Sequence, residues 1–252
     1  MSPLTPFLQL SRDKISLLES SPLRSLLLAG LGGVYIGLGV ALILALGTPL
    51  FLVGSPLTKL VMAVTFGVAL SLVLLGGAEL STGNHLVGAI GGVCGAITWI
   101  QAAKLIFWTW MGNLLGSWVL AGMVMESGVL SNPILLESLA LVKMTLDPVQ
   151  LVLRGLLCNW LVCLALWTAS RTDSDGAKLL MVFWCLLAFV GTGFEHSVAN
   201  QSLLAMALWS PHDVALTWSG YWYNQLWVVL GNLLGGGLCV GWVYAWVYHD
   251  AH

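Results

Sequence analysis

Charge is scarce in this chain. Only 8% of its 252 residues are Asp, Glu, Lys or Arg, against about 25% in soluble domains, and mean hydropathy is +0.92. So little charge cannot hydrate a water-facing surface of this size, which excludes an ordinary soluble domain. There is no basic excess either: the net charge of −2 gives nucleic acid no electrostatic footprint. Residues 1–23 contain Arg12, Asp13, Lys14 and Glu19 and no sustained apolar run before a small-residue cleavage site, so no cleaved signal peptide is expected. They read instead as a short helix lying at a membrane surface. The five cysteines (Cys94, Cys158, Cys163, Cys185, Cys239) are odd in number and sit in or beside apolar segments, so a packing role is expected and not a disulfide framework. His85, His212, His249 and His252 show no metal spacing, and neither a Gly-rich phosphate loop nor a hydrolase triad is visible. Enzyme chemistry, a cofactor and a bound metal are therefore not expected.

What is abundant is long apolar sequence. A bilayer core takes about 20 apolar residues per helix. Runs of that kind occupy about 25–50, 57–76 resuming to 97, 101–125, 149–170, 177–192 resuming to 209, and 222–247. Six crossings are expected, two of them interrupted, in one all-α transmembrane domain over 1–252. Its expected parts are an interfacial segment 1–23, a first repeat 24–125, an extracytoplasmic loop 126–148 and a second repeat 149–248. With the N-terminus inside, the inner side holds Arg12, Lys14, Arg24, Lys104, Arg171 and Lys178, and the outer side Lys59, Lys143 and Arg154. That bias places both termini in the cytoplasm, in a bacterial-type inner membrane. Thirteen tryptophans fit interfacial belts.

The two interruptions resemble each other. Glu79-Leu80-Ser81-Thr82-Gly83-Asn84 aligns with Glu195-His196-Ser197-Val198-Ala199-Asn200 at an offset of 116. Gly112-Asn113-Leu114-Leu115-Gly116 is identical to Gly231-Asn232-Leu233-Leu234-Gly235 at an offset of 119. The chain therefore reads as a duplicated three-span unit. An odd number of spans sends the second copy in from the opposite side, an inverted three-plus-three repeat whose breaks should converge near the midplane. Broken backbone at that depth is tolerable where protein buries it or where it lines a polar path, so a small-solute channel or transporter is expected.

Ionisable groups at such depth carry function by default. Glu79 and Glu195, with Asn84 and Asn200, hold equivalent positions and are expected to support the breaks structurally. His196 aligns with Leu80 and Thr82 with Val198, so these two stand apart as asymmetric groups at a symmetric site. Asn159, within Cys158-Asn159-Trp160, is placed to orient one of them.

At these residues the chain resembles the formate/nitrite transporter family. Gly193-Phe194-Glu195-His196-Ser197, Leu80-Ser81-Thr82-Gly83-Asn84, Cys158-Asn159-Trp160-Leu161-Val162-Cys163 and the paired Gly-Asn-Leu-Leu-Gly runs carry the likeness, over about residues 5–248. The resemblance implies an aquaporin-like fold with six spans per protomer, assembled as a homopentamer in the lipid bilayer with a pore in each protomer, conducting small monovalent weak-acid anions: nitrite or formate first, with hydrosulfide, acetate or lactate as alternatives. It implies that His196, Thr82 and Asn159 form the central site and that protons accompany the anion. It also makes Lys143 the vestibule lysine and places apolar constrictions at Phe66, Leu70 and Phe189. Ser81 stands where many members carry an aromatic or large apolar residue, so the constriction there is expected to be wider or wetter. A neutral-solute channel would instead carry Asn-Pro-Ala at both breaks; the one Asn-Pro is Asn132-Pro133, outside them.

Overall fold

A computed structural model describes residues 2–211 and 214–249. His212 and His252 lie outside them, as does the side chain of His249. The regular structure of the described residues is all helical, and each long apolar run of the sequence becomes a helix because, away from water, a backbone must satisfy its own N–H and C=O groups. The amphipathic α1 (Thr5–Ser20) buries Phe7, Ser11 and Ile15 along one face. α2 (Pro22–Leu52) starts on a proline whose fixed φ suits the first turn and runs on for 31 residues. α3 (Thr58–Thr65) and α4 (Gly67–Gly76) are one segment bent at Phe66, followed by an extended link and α5 (Ser81–Val93). α6 (Trp99–Glu126) opens on a Thr98–Gln101 capping box.

The second half repeats the order. α7 (Ile134–Thr145) precedes α8 (Pro148–Ala169), which Asp147 caps, and α9 (Asp175–Thr192), which Ser174 caps. An extended link leads to α10 (Ser197–Trp209); then come α11 (Trp218–Leu233), a π-helical stretch (Leu234–Trp242) and α12 (Val243–His249). Among the described residues, five segments are long and apolar enough to cross a membrane: Pro22–Leu52, Thr58–Gly76, Pro148–Ala169, Asp175–Thr192 and Trp218–Tyr248. At 28 residues α6 has the length of a sixth, but Gln101, Lys104, Asn113 and four tryptophans lower its hydropathy. Two features were not legible in the apolar runs. Residues 126–148, expected as a loop, contain helix α7, and Phe66 bends what reads as one uniform run.

α2 packs along α6, and α8 along α11. Both approaches, the second continuing from α11 into the π-helical stretch, depend on the second glycine of the repeated Gly-Asn-Leu-Leu-Gly motif. A Cβ at Gly116 would lie 1.9 Å from the Gly30 carbonyl oxygen, and one at Gly235 would lie 2.1 Å from that of Leu156. The motif is therefore a backbone-to-backbone contact in each half. Between the pairs sits one apolar core that includes Ile36, Val40, Phe66, Leu70, Val162, Leu186, Phe189 and Leu204. A second cluster ties α1 to the far end of the chain: Phe7 stacks on Trp167 and Trp167 on Tyr244, at 5.4 and 4.1 Å between ring centroids. Leu27, Ile100, Phe107, Val119, Leu226 and Trp246 lie exposed on the outside, an apolar exterior suited to lipid or to a partner subunit.

Gly116→Ala should cost about 1–3 kcal/mol through the forced separation of α2 and α6. The check is a lowered thermal unfolding midpoint in detergent. Gly122→Ala, whose added methyl would meet Trp209 at an ordinary 3.6 Å, should leave that midpoint in place.

Candidate functional site

The first break begins where Gly77, at φ +70°, ends α4 in the left-handed conformation that glycine adopts without strain. The link then has backbone groups with no helical partner. Glu79 donates its N–H to the Leu28 carbonyl at 3.1 Å. The side chain of Asn113 closes the rest: its Oδ1 accepts the Ser81 N–H at 2.9 Å, and its Nδ2 donates to the carbonyls of Ala29 and Glu79 at 2.7 and 2.8 Å. The Glu79 carboxylate turns inward to Asn84 Nδ2 (3.2 Å) and to Lys14, which also donates to Asn84 Oδ1 at 2.8 Å.

The second break is the same device. Gly193 ends α9 at φ +82°, and Glu195 donates its N–H to the Arg154 carbonyl at 3.2 Å. Asn232 Oδ1 accepts the Ser197 N–H at 2.9 Å, while its Nδ2 reaches the carbonyls of Gly155 and Glu195 at 2.8 and 3.0 Å. Glu195 takes Asn200 Nδ2 at 2.6 Å and both oxygens take Lys143, at 2.8 and 2.9 Å. Each carboxylate, the buried Glu195 and the part-exposed Glu79, therefore has a lysine and an asparagine, the pairing that makes burial of a charge tolerable.

Sequence reading placed Glu79, Asn84, Glu195 and Asn200 at the breaks, where they are found. It missed Lys14 and the clamping role of Asn113 and Asn232. The asparagines were visible as a repeated motif. Lys14 was not, because it precedes its glutamate by 65 residues while Lys143 precedes its own by 52. The two lysines also place α1 and α7 as counterparts, an N-terminal helix for each half.

The breaks converge. His196, the N-cap of α10, accepts the Ala199 N–H on Nδ1 at 3.1 Å. An accepting Nδ1 carries no proton, so the hydrogen of the neutral ring is on Nε2, which points at Thr82 Oγ1, 3.2 Å away on the first turn of α5. The cap thus assigns the tautomer. Asn159 sits behind this pair, fully buried. Its Nδ2 is shared among the Thr82 carbonyl (3.2 Å), His85 Nδ1 (3.0 Å) and the Asn232 carbonyl (2.7 Å). One amide thereby connects both breaks and the central threonine.

Two cavities meet at His196. A vestibule of about 420 Å³ is lined by Lys59, Lys143, Arg154, Glu195, Asn200, Phe66, Phe189 and His196 among others. Beyond it a chamber of about 10 Å³ is lined by Ile36, Phe66, Leu70, Leu80, Val162, Leu186, Phe189 and His196. Phe66, Phe189 and His196 belong to both and form the neck between them. The two phenyl rings meet edge to face at 5.7 Å, and Phe189 stacks on the imidazole at 5.9 Å. A space of that size holds about one water at most. His196 is the single polar side chain among the eight that line it.

Ser81 is elsewhere. It opens onto a lateral groove of about 900 Å³ with His85, Ser197, Gln225 and Trp222. Leu80, the last extended residue, takes the chamber wall, so the residue directly before Thr82 does not widen this chamber. Leu80 and Ser81 point apart because the link is extended up to Leu80 and helical from Ser81.

The formate/nitrite transporter family model matches residues 7–246. The nitrite transporter NirC of Escherichia coli (strain K12) is 40% identical over 225 residues, covering 88% of this chain and 82% of NirC. Among solved structures, an FNT family ion channel superposes with a TM-score of 0.93 at 38% identity, covering 97% of this chain and 98% of that one. A pentameric formate channel with formate bound gives a TM-score of 0.78 at 27% identity, covering 90% of this chain and 97% of the channel.

Glu195 is 3% exposed and Glu79 16% in their side chains. Lys143→Met strands the deeper carboxylate and should destabilise the protein by about 3–5 kcal/mol. Lys14→Met should cost less. Chemical unfolding in detergent measures both, and Lys143→Met with Glu195→Gln should recover most of the loss.

Proposed function

Because the chain belongs to the formate/nitrite transporter family, we propose that it is an integral membrane channel or transporter for small monovalent weak-acid anions, nitrite or formate, with its pore inside the protomer. The nitrite transporter and the formate-bound channel among its relatives support that substrate class. The pentameric state of the latter supports a homopentamer. α6 is the sixth crossing, and α1–α6 and α7–α12 are the two inverted units. On this reading the expected units 24–125 and 149–248 each take in the preceding short helix, so residues 1–23 and 126–148 cease to be separate parts. Both termini lie in the cytoplasm of a bacterial-type inner membrane, as the lysine and arginine bias favours.

The observation that carries the mechanism is the dry neck with one polar side chain. A bare anion there would be an unpaired charge in low dielectric, whereas the neutral acid is a small polar molecule. In the vestibule Lys143 spends two N–H groups on Glu195 and keeps the third for an incoming anion. At the neck the His196 Nε2–H, oriented by Thr82 Oγ1 behind it, replaces water around the substrate. Handing over the Nε2 proton requires Nδ1 to be reprotonated, which its bond to the Ala199 N–H opposes. The proton therefore comes from the external solution, taken up by the anion as hydronium in the vestibule, while His196 orients and hydrogen-bonds. The neutral acid then passes Phe66, Leu70, Leu80 and Phe189. Hydrosulfide, acetate or lactate fit the same chemistry as alternatives.

Uptake into proteoliposomes tests this. Nitrite and formate should enter faster as external pH falls, since the neutral share of a weak acid grows about tenfold per pH unit above its own pKa. His196→Asn should slow entry about tenfold by removing the hydrogen bond to the substrate, and leave in place the pH dependence that the neutral share of the acid sets. Passage of water or glycerol without any anion would replace this reading by a neutral-solute channel.

A further inference from the structure

The vestibule contains more positive charge than the Lys143–Glu195 pair accounts for. Three cations line it, Lys59, Lys143 and Arg154, against the one carboxylate of Glu195. Lys143 is bound to both oxygens of that carboxylate, at 2.8 and 2.9 Å, so to an approaching ion the pair is a dipole and not a free charge. Among the described residues, Lys59 and Arg154 have no ion pair. Both lie beside the second break. The backbone of Arg154 accepts the Glu195 N–H, and Lys59 Nζ lies 3.9 Å from where a Cβ on Gly193 would be. Arg154 is half-buried and Lys59 exposed at the rim.

We propose that Arg154 and Lys59, and not Lys143, set the positive potential that selects and concentrates anions at this mouth, with Lys143 acting only after capture. The inference rests on the anion-transport reading above and names the residues that give it sign selectivity. A cleft with apolar walls focuses the field of unpaired cations, raising the local concentration of ions of opposite sign and their rate of entry. A compensated pair contributes little to that field beyond a few ångströms. The neutral acid feels none of it, so these two residues act on binding of the anion and leave passage of the neutral acid through the neck unchanged.

The potential can be read without transport. Ser138 is exposed on α7 and lines the same vestibule. In a chain carrying Cys94→Ser and Cys239→Ser, Ser138→Cys is labelled with an anionic and a cationic methanethiosulfonate of similar size. The ratio of the two rates should fall about tenfold in Arg154→Gln with Lys59→Gln at low ionic strength, and the difference should shrink at about 1 M salt. In the same double variant the apparent KM for nitrite entering from this side should rise several-fold with maximal flux kept. Arg154→Lys with Lys59→Arg should restore both readings, separating lost charge from lost fold. Lys104→Gln, in a separate cavity with Glu19, is the neutral control. An unchanged labelling ratio, or a changed ratio with unchanged KM, overturns the proposal. A parent protein that moves no anion at all overturns the transport reading instead, and the labelling ratio still tests the potential.

Discussion

A helix broken inside an apolar layer must find partners for the backbone groups it frees, and that requirement organises the rest of this protein. Asn113 and Asn232 meet it from the facing helix, each accepting one N–H and returning its amide hydrogens to two carbonyls. An asparagine suits this because its side chain is itself an amide, able to replace the peptide neighbour that the helix has lost. The glycine three residues beyond each asparagine lets the helices approach closely enough for the clamp to reach. Motif, close packing and broken helix are therefore one structural solution, used twice.

The clamps determine where chemistry can occur. By fixing the first turns of α5 and α10 they bring Thr82 and His196 within hydrogen-bond distance. The N-cap bond to His196 then fixes which nitrogen carries the proton. The charged groups are arranged differently from the polar ones. Both glutamates are paired with lysines from the short helices α1 and α7, while the neck itself contains no ionisable group except the neutral ring of His196. Charged side chains line the vestibule and not the neck, and that separation is the ground for proposing protonation of the substrate as the condition for passage.

Much of this was legible in the residues. The apolar runs gave the long helices to within a few residues, since length and hydropathy decide a helix in a membrane. The aligned breaks gave Glu79, Asn84, Glu195 and Asn200, and their asymmetry singled out His196 and Thr82. Other elements depended on geometry that spacing does not encode. Lys14 and Lys143 fill equivalent roles at different distances along the chain, so no constant offset links them. The bend at Phe66 follows no proline, and helix α7 lies in a segment whose Glu126, Asn132 and Pro133 read as loop. Ser81 was assigned to the wrong cavity because one extended residue before it reverses which side chain faces inward.

The central claim is that the Phe66–Phe189 neck admits the neutral acid and rejects the anion. Nitrite flux through Phe189→Ala, compared with the parent protein with and without an inward proton gradient, tests it most directly. If the neck is the barrier to charge, the widened variant should conduct nitrite as a hydrated ion, with current that follows voltage and a weakened dependence on external acid. A variant whose flux stayed as strictly proton-linked and electrically silent as that of the parent would contradict the account.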